Sequence, residues 1–142
     1  MERLVIALGL AAVAVLVAVL LDRRRTDAPT QSAWTVPEQL DRGEFTRPDT
    51  PWLVVVFSSA TCDSCRDTAA KAAVLESHEV AFEEVEVGAS PDRHRRYGID
   101  AVPVVVIADH EGVVRGSFVG PPSATDLWSA LATARDATPP NV

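Results

Sequence analysis

The sequence has few residues that bind metals: its only two cysteines are Cys62 and Cys65, and it has three histidines in 142 residues. A structural zinc site takes four Cys, His or acidic ligands, and an iron–sulfur cluster commonly takes four cysteines. One Cys-x-x-Cys pair, with His78, His94 and His110 scattered along the chain, does not supply that set. We therefore expect no metal and no bound cofactor.

Basic residues are scarce beyond residue 25, where nine Lys and Arg stand against 18 Asp and Glu. An acidic segment of this kind is repelled by nucleic acid backbones and by anionic lipid headgroups. The one basic cluster, "RHRR" at residues 93–96, is typical of a solvated helix face. The composition predicts no nucleic acid partner.

Only one apolar run is long enough to cross a membrane. Residues 4–21 form 18 positions without a charge, which as a helix would span ~27 Å. Arginines follow at 23–25 in place of the small-residue pattern of a signal-peptide cleavage site. We interpret residues 1–25 as a retained single-pass transmembrane anchor. The basic flank predicts a cytoplasmic domain by the positive-inside rule, with the extracytoplasmic side as the alternative.

The rest of the chain predicts one α/β domain. Residues 26–33 are small and polar and indicate a linker, residues 34–136 indicate the domain, and residues 137–142 indicate a disordered tail. Strand-like and helix-like segments follow in the order strand, helix, strand, helix, strand, strand, helix. We expect a mixed central sheet flanked by helices, with its first two strands parallel and its last two forming a hairpin.

Two local patterns lead to more detailed expectations. Pro37 suits the first turn of a helix and Gly43 suits its end, which predicts a short helix between them. In the last helix, Ser123 or Thr125 is the expected N-cap. One face of that helix is expected to carry the apolar residues Leu127, Trp128, Leu131 and Ala134.

The two cysteines lie where the apolar run "WLVVVFS", residues 52–58, gives way to a helical pattern. A helix N-terminus lowers the pKa of a thiol, because its free N–H groups and dipole stabilise the thiolate. In a Cys-x-x-Cys pair at this position the first sulfur is exposed and the second lies one turn inside. Cys62 is therefore the expected attacking thiol and Cys65 the resolving thiol.

The motifs "VVVFSSATCDSC", "YGIDAVPVVVIAD" and "GSFVGPPSATDLWSAL" together resemble the thioredoxin superfamily. The resemblance implies a thioredoxin-like fold and a membrane-anchored thiol–disulfide oxidoreductase whose only redox group is the Cys62–Cys65 disulfide. It implies protein disulfide or dithiol substrates and an upstream redox partner. It also implies a cis bond before Pro103, and substrate-binding positions at Thr61, Asp63, Ser64, Val102, Pro103 and Gly120.

The sequence departs from that family at several positions. Thr61 replaces the common aromatic residue before the first cysteine, and Val56 replaces the family's buried acid. Ala70 replaces a proline of the following helix. Glu84, aligned with a family lysine, is a candidate for the missing proton acceptor and catalytic carboxyl. The alternative is that Glu83, Glu84 and Glu86 are solvated charges at a strand end.

These departures leave a second function class open. The chain is either a redox enzyme or a non-catalytic thioredoxin-fold module that holds a partner protein at the membrane. Both cysteines are retained with no others in the chain, which favours the enzyme. The abundance of Ala, Val and Arg beside a single lysine, Lys71, suggests a bacterial source.

Overall fold

The computed structural model describes residues 35–137. After a short 3-10 helix, Arg42–Glu44, the chain forms four strands and three helices in the predicted order. The strands are β1 (Trp52–Ser58), β2 (Val80–Glu86), β3 (Val104–Asp109) and β4 (Val114–Val119). The helices are α1 (Asp63–Ala73), α2 (Pro91–Arg96) and α3 (Ala124–Ala137).

The four strands form one mixed sheet in the order β2-β1-β3-β4. Strand β1 pairs in parallel with β2, as the α1 crossover requires, and antiparallel with β3. Strands β3 and β4 form the predicted antiparallel hairpin. All seven residues of β1 are buried, because this strand lies inside the sheet and both of its faces are covered.

Each face of the sheet has its own apolar core. On one face, Val54 and Val56 of β1 pack with Ala72 of α1 and Leu127 of α3. On the other face, Phe57 packs with the aromatic and aliphatic residues Phe45, Tyr97, Ile99, Leu40 and Val106, among others. Helices α1 and α3 therefore lie on the same face, and the segment before β1 and the α2 region cover the opposite face.

The helix expected between Pro37 and Gly43 is wrong. Gln39 instead forms an isolated β-bridge with Val113, and the Leu40 N–H donates to the Gly112 carbonyl at 2.8 Å. Gly112 has φ +81°, and a Cβ there would lie 2.0 Å from the Leu40 carbonyl oxygen. The segment pairs with the turn between β3 and β4 in place of forming the helix that its local sequence favours. Gly43 lies inside the 3-10 helix.

The expected apolar face of α3 is only partly correct. Leu127, Leu131 and Ala134 are buried, whereas Trp128 is 53% exposed. The three buried residues lie four and then three positions apart, which places them on one narrow stripe. Trp128 is rotated about 100° from Leu127 and falls outside that stripe. Ser123 is the cap, since its hydroxyl accepts from the backbone N–H of Asp126.

The predicted anchor (1–25) and linker (26–33) lie outside the described residues, as does the chain beyond residue 137. Helix α3 includes Ala137, so it runs one residue into the predicted tail. Across residues 35–137, the structure has no helix with the length and apolar character of a membrane span.

Candidate active site

The cysteines lie in the turn that joins β1 to α1. Cys62 is the N-cap of α1, with extended backbone angles of φ −105° and ψ 106°, and Cys65 lies in the first turn. The two sulfurs form a disulfide, and their Cα atoms are 5.3 Å apart. The pair therefore lies between a strand and a helix, as the sequence predicted.

The two sulfurs have different surroundings. Cys62 is partly exposed, and its Sγ accepts from the backbone N–H of Cys65 at 3.2 Å. The Ser64 hydroxyl donates to the same sulfur at 3.4 Å, since a disulfide sulfur has no proton to give. Cys65 is only 1% exposed. The outer sulfur is thus reachable and has hydrogen-bond donors, whereas the inner one is shielded from solvent.

Asp63 and Thr61 flank Cys62 at the surface. The Asp63 side chain is 98% exposed and forms an ion pair with Arg66 at 3.7 Å, and Arg66 is itself 78% exposed. Thr61 is exposed, and its hydroxyl lies 3.2 Å from that of Ser59. Because both charges of the ion pair are in water, the electrostatic effect of the pair on Cys62 is small.

The segment around Pro103 lies at the same end of the sheet as the two cysteines. The Val102–Pro103 peptide bond is cis, and the next residue, Val104, pairs with Phe57 of β1. The Gly120 N–H donates to the Pro103 carbonyl at 2.9 Å, and Gly120 has φ +90°. The end of β1, the start of β3 and the end of β4 therefore lie side by side. A small pocket beside them is lined by Thr35, Ile99, Asp100, Ala101, Val104 and Val119.

Glu84 lies on the same sheet face as α1. It is the register neighbour of Val56, which packs on that face and is completely buried. Glu84 itself is exposed, because β2 is an edge strand. The buried hydroxyl of Ser58 donates to Glu84 Oε1 at 2.7 Å. Glu84 is thus a solvated carboxylate with one contact to a buried polar group, and position 56 beside it holds an apolar side chain.

The sequence reasoning missed the role of Glu86. Its carboxylate accepts from the backbone N–H groups of Gly88 at 2.9 Å, Ala89 at 2.9 Å and Ala60 at 3.2 Å. These three bonds hold the pKa of Glu86 below its ordinary value of 4.5. Glu86 therefore fastens the loop before Cys62 to the end of β2. A glutamate two residues before a glycine was the only local signal.

The described residues contain no group of three or more His, Cys, Asp or Glu side chains arranged to hold a metal ion. The chemistry that the structure presents at residues 61–65 is that of two sulfurs, one helix N-terminus and neighbouring hydroxyls.

Comparisons with solved structures identify the fold. The chain is similar to a thioredoxin from Fasciola hepatica, with 27% identity over 62% of this chain and 85% of that chain, and a TM-score of 0.54. It is similar to a thioredoxin variant from Halobacterium salinarum, with 20% identity over 73% and 91% of the two chains, and a TM-score of 0.59. It is also similar to the reduced thioredoxin pre-protein of Schistosoma mansoni, with 24% identity over 60% of this chain and 80% of that chain, and a TM-score of 0.52. No protein-family profile and no curated protein sequence matches the chain.

Proposed function

From the thioredoxin fold and its Cys-x-x-Cys pair, we propose that the protein is a thiol–disulfide oxidoreductase that exchanges electrons with protein substrates. The observation that carries the proposal is the asymmetry of the disulfide. Cys62 is reachable and accepts two hydrogen bonds at a helix N-terminus, and Cys65 is buried behind it. An attacking thiol needs the first environment, and a resolving thiol is protected by the second.

The exchange proceeds in two steps. In the reduced protein, the Cys62 thiolate attacks one sulfur of a substrate disulfide, forms a mixed disulfide and releases the other substrate sulfur as a thiolate. The Cys65 thiolate then attacks Cys62 Sγ, forms the intramolecular disulfide and releases the second substrate sulfur. The substrate gains two electrons and, after protonation, two protons. The reverse sequence oxidises a substrate dithiol.

The residues around the pair form the proposed substrate-binding surface. Val102, just before the cis bond, offers its backbone to an extended substrate chain, and Pro103 and Gly120 hold that segment through their 2.9 Å hydrogen bond. Thr61, Asp63 and Ser64 surround the exposed sulfur. All of these positions lie at the end of the sheet where β1 leads to Cys62.

Glu84 is the proposed proton acceptor for the Cys65 thiol. Its support is its place beside Val56, on the face that α1 covers, and its bond from the buried Ser58 hydroxyl. Because Glu84 is exposed, a proton that it receives passes directly to solvent. The role needs no buried acid at position 56, only a carboxylate that receives the proton and passes it to water.

Trapping the mixed disulfide tests the proposal. The Cys65→Ser protein lacks the resolving sulfur and should accumulate a mixed disulfide with a model peptide disulfide, measured by non-reducing electrophoresis and mass spectrometry. The Cys62→Ser protein is the matched control and should trap nothing. Trapping by Cys62→Ser alone would reverse the assignment of the two roles. The proposed activity would be overturned if neither variant trapped the peptide and the wild-type protein also failed to reduce insulin.

The complete burial of an apolar side chain, Val56, at this position favours one alternative function. Without an acid beneath the disulfide, the domain would serve as a non-catalytic module that holds a partner protein. The insulin turbidity assay separates the two functions, because a binding module leaves insulin soluble and an oxidoreductase precipitates its reduced chains.

We also propose that residues 4–21 anchor the protein in a cell membrane, with the catalytic domain in the cytoplasm. The support is the uncharged run of 18 residues and the arginines at 23–25. Labelling of Cys62 by a membrane-impermeant maleimide in intact cells that produce the Cys65→Ser variant, in which the intramolecular disulfide cannot form, tests the orientation. Labelling before lysis would place the domain outside, and labelling only after lysis would place it inside. Recovery of the full chain in the supernatant after ultracentrifugation would exclude the anchor.

A further inference from the structure

Thr68 contains a buried hydroxyl without a hydrogen-bond partner among the residues that the structure describes. The residue is 0% exposed and lies in the middle of α1. A threonine hydroxyl inside a helix commonly donates to the carbonyl four residues earlier, and this one does not. A buried polar group without a partner lowers stability, so its presence requires an explanation.

The neighbour of Thr68 on the buried face of α1 is Cys65. The buried residues of this helix are Cys65, Thr68, Ala69 and Ala72. Residues three apart on a helix have Cβ atoms about 5–6 Å apart. In the disulfide, Cys65 Sγ is bonded to Cys62 and makes no hydrogen bond to Thr68, although Cys62 Sγ has two donors. The Thr68 hydroxyl therefore lies one helical turn from the Cys65 sulfur and makes no hydrogen bond to it in the disulfide form.

We propose that Thr68 is a positioning residue that hydrogen-bonds the Cys65 sulfur once the disulfide is reduced. The inference rests on the proposed redox function and refines it. Reduction by two glutathione molecules breaks the S–S bond, delivers two electrons and two protons to the cysteine sulfurs and forms one glutathione disulfide. The freed Cys65 sulfur then becomes a hydrogen-bond partner for the Thr68 hydroxyl, and a better acceptor still when it is a thiolate.

The consequence is a shift of the redox equilibrium. The oxidised form keeps a hydroxyl without a partner and the reduced form satisfies it, so Thr68 favours the dithiol. One net hydrogen bond corresponds to about a fivefold change in an equilibrium constant. For a two-electron couple, fivefold is about 20 mV, so Thr68 makes the protein a slightly stronger oxidant.

Glutathione titration of three variants tests this inference. Thr68→Val replaces the hydroxyl with a methyl of similar shape and should shift the equilibrium about fivefold toward the disulfide. Thr68→Ser keeps the hydroxyl and should stay near the wild-type value. Thr133→Val, at an exposed position of α3, is the matched control and should leave the equilibrium unchanged.

Unfolding of both redox forms by denaturant separates this role from a purely structural one. Thr68→Val should increase the stability of the oxidised form relative to the reduced form. An equal change in both forms, with an unchanged glutathione equilibrium, would overturn the role of Thr68 and leave the proposed function intact. A wild type that does not exchange with glutathione at all would overturn both.

Discussion

Replacing Asp63 with asparagine tests how far the surface charge beside Cys62 tunes its reactivity. The variant removes a negative charge one residue from the attacking sulfur and keeps the size of the side chain. A nearby negative charge disfavours the thiolate, so Asp63→Asn should lower the pKa of the Cys62 thiol. The helix N-terminus then acts on that sulfur with less opposition.

The structure limits the size of this change. The Asp63 side chain is 98% exposed, so its interaction with Cys62 passes largely through water. Two unit charges roughly 6 Å apart in water interact by about 0.7 kcal/mol, which corresponds to about half a pKa unit. Arg66, 3.7 Å from Asp63, offsets part of that interaction. We expect a decrease of about half a unit or less, which added salt reduces further.

The rate of alkylation by iodoacetamide against pH, with mass spectrometry to locate the label, measures the Cys62 pKa. Arg66→Gln should raise that pKa, because it leaves Asp63 without its partner. Asp67→Asn is the matched control, since Asp67 pairs with Lys71 one turn further along α1 and should have little effect. A higher pKa in Asp63→Asn, or a decrease of more than one unit, would refute the electrostatic reasoning.

Three further predictions concern two carboxylates near the site, Glu84 and Glu86, and the glycine in the turn between β3 and β4, Gly112. Glu84→Gln should slow turnover of a small disulfide substrate while leaving the Cys62 alkylation profile unchanged; unchanged turnover would make Glu84 a solvated charge only. Glu86→Gln should be less stable than the wild type at neutral pH in denaturant titrations. Because the folded-state pKa of Glu86 is lowered, that difference should vanish well below pH 4.5, and a difference that persists there would contradict the assignment. Gly112→Ala should cost about 3 kcal/mol or more, because it adds a clash with Leu40 to a strained φ. Gly98→Ala, at φ +65° with open space around it, should cost about 1–2 kcal/mol in the same titration, and equal costs would exclude the clash.

The sequence predicts the central architecture well, because its signals there are local. A largely apolar run with three consecutive valines marks β1 from Trp52 to Ser58, and the structure confirms both bounds. The strand, helix, strand order then requires β1 and β2 to be parallel, which the register confirms. The predicted position of the Cys-x-x-Cys pair at a helix N-terminus is also confirmed, since the helix begins at the residue after Cys62.

The features that sequence reasoning missed depend on partners far along the chain. Gln39 pairs with Val113, and no local pattern around Pro37 reports that bridge. The Ser58 hydroxyl finds Glu84 only because β1 and β2 pair in one particular register. Trp128 is exposed because only a narrow stripe of α3 contacts the sheet. The positions of apolar residues along the helix do not reveal the width of that stripe.

The sheet order has a consequence for how the molecule avoids self-association. Among the described residues, β2 and β4 are the edge strands, and such edges are templates for pairing with another chain. Strand β2 carries Glu83, Glu84 and Glu86, so two copies meeting along this edge would bring six carboxylates together. Glu84 and Glu86, which contact Ser58 and Ala60 just before Cys62, therefore also oppose the pairing of two copies along this edge. Variants that neutralise these carboxylates should associate more readily, so their kinetics are best compared at low protein concentration.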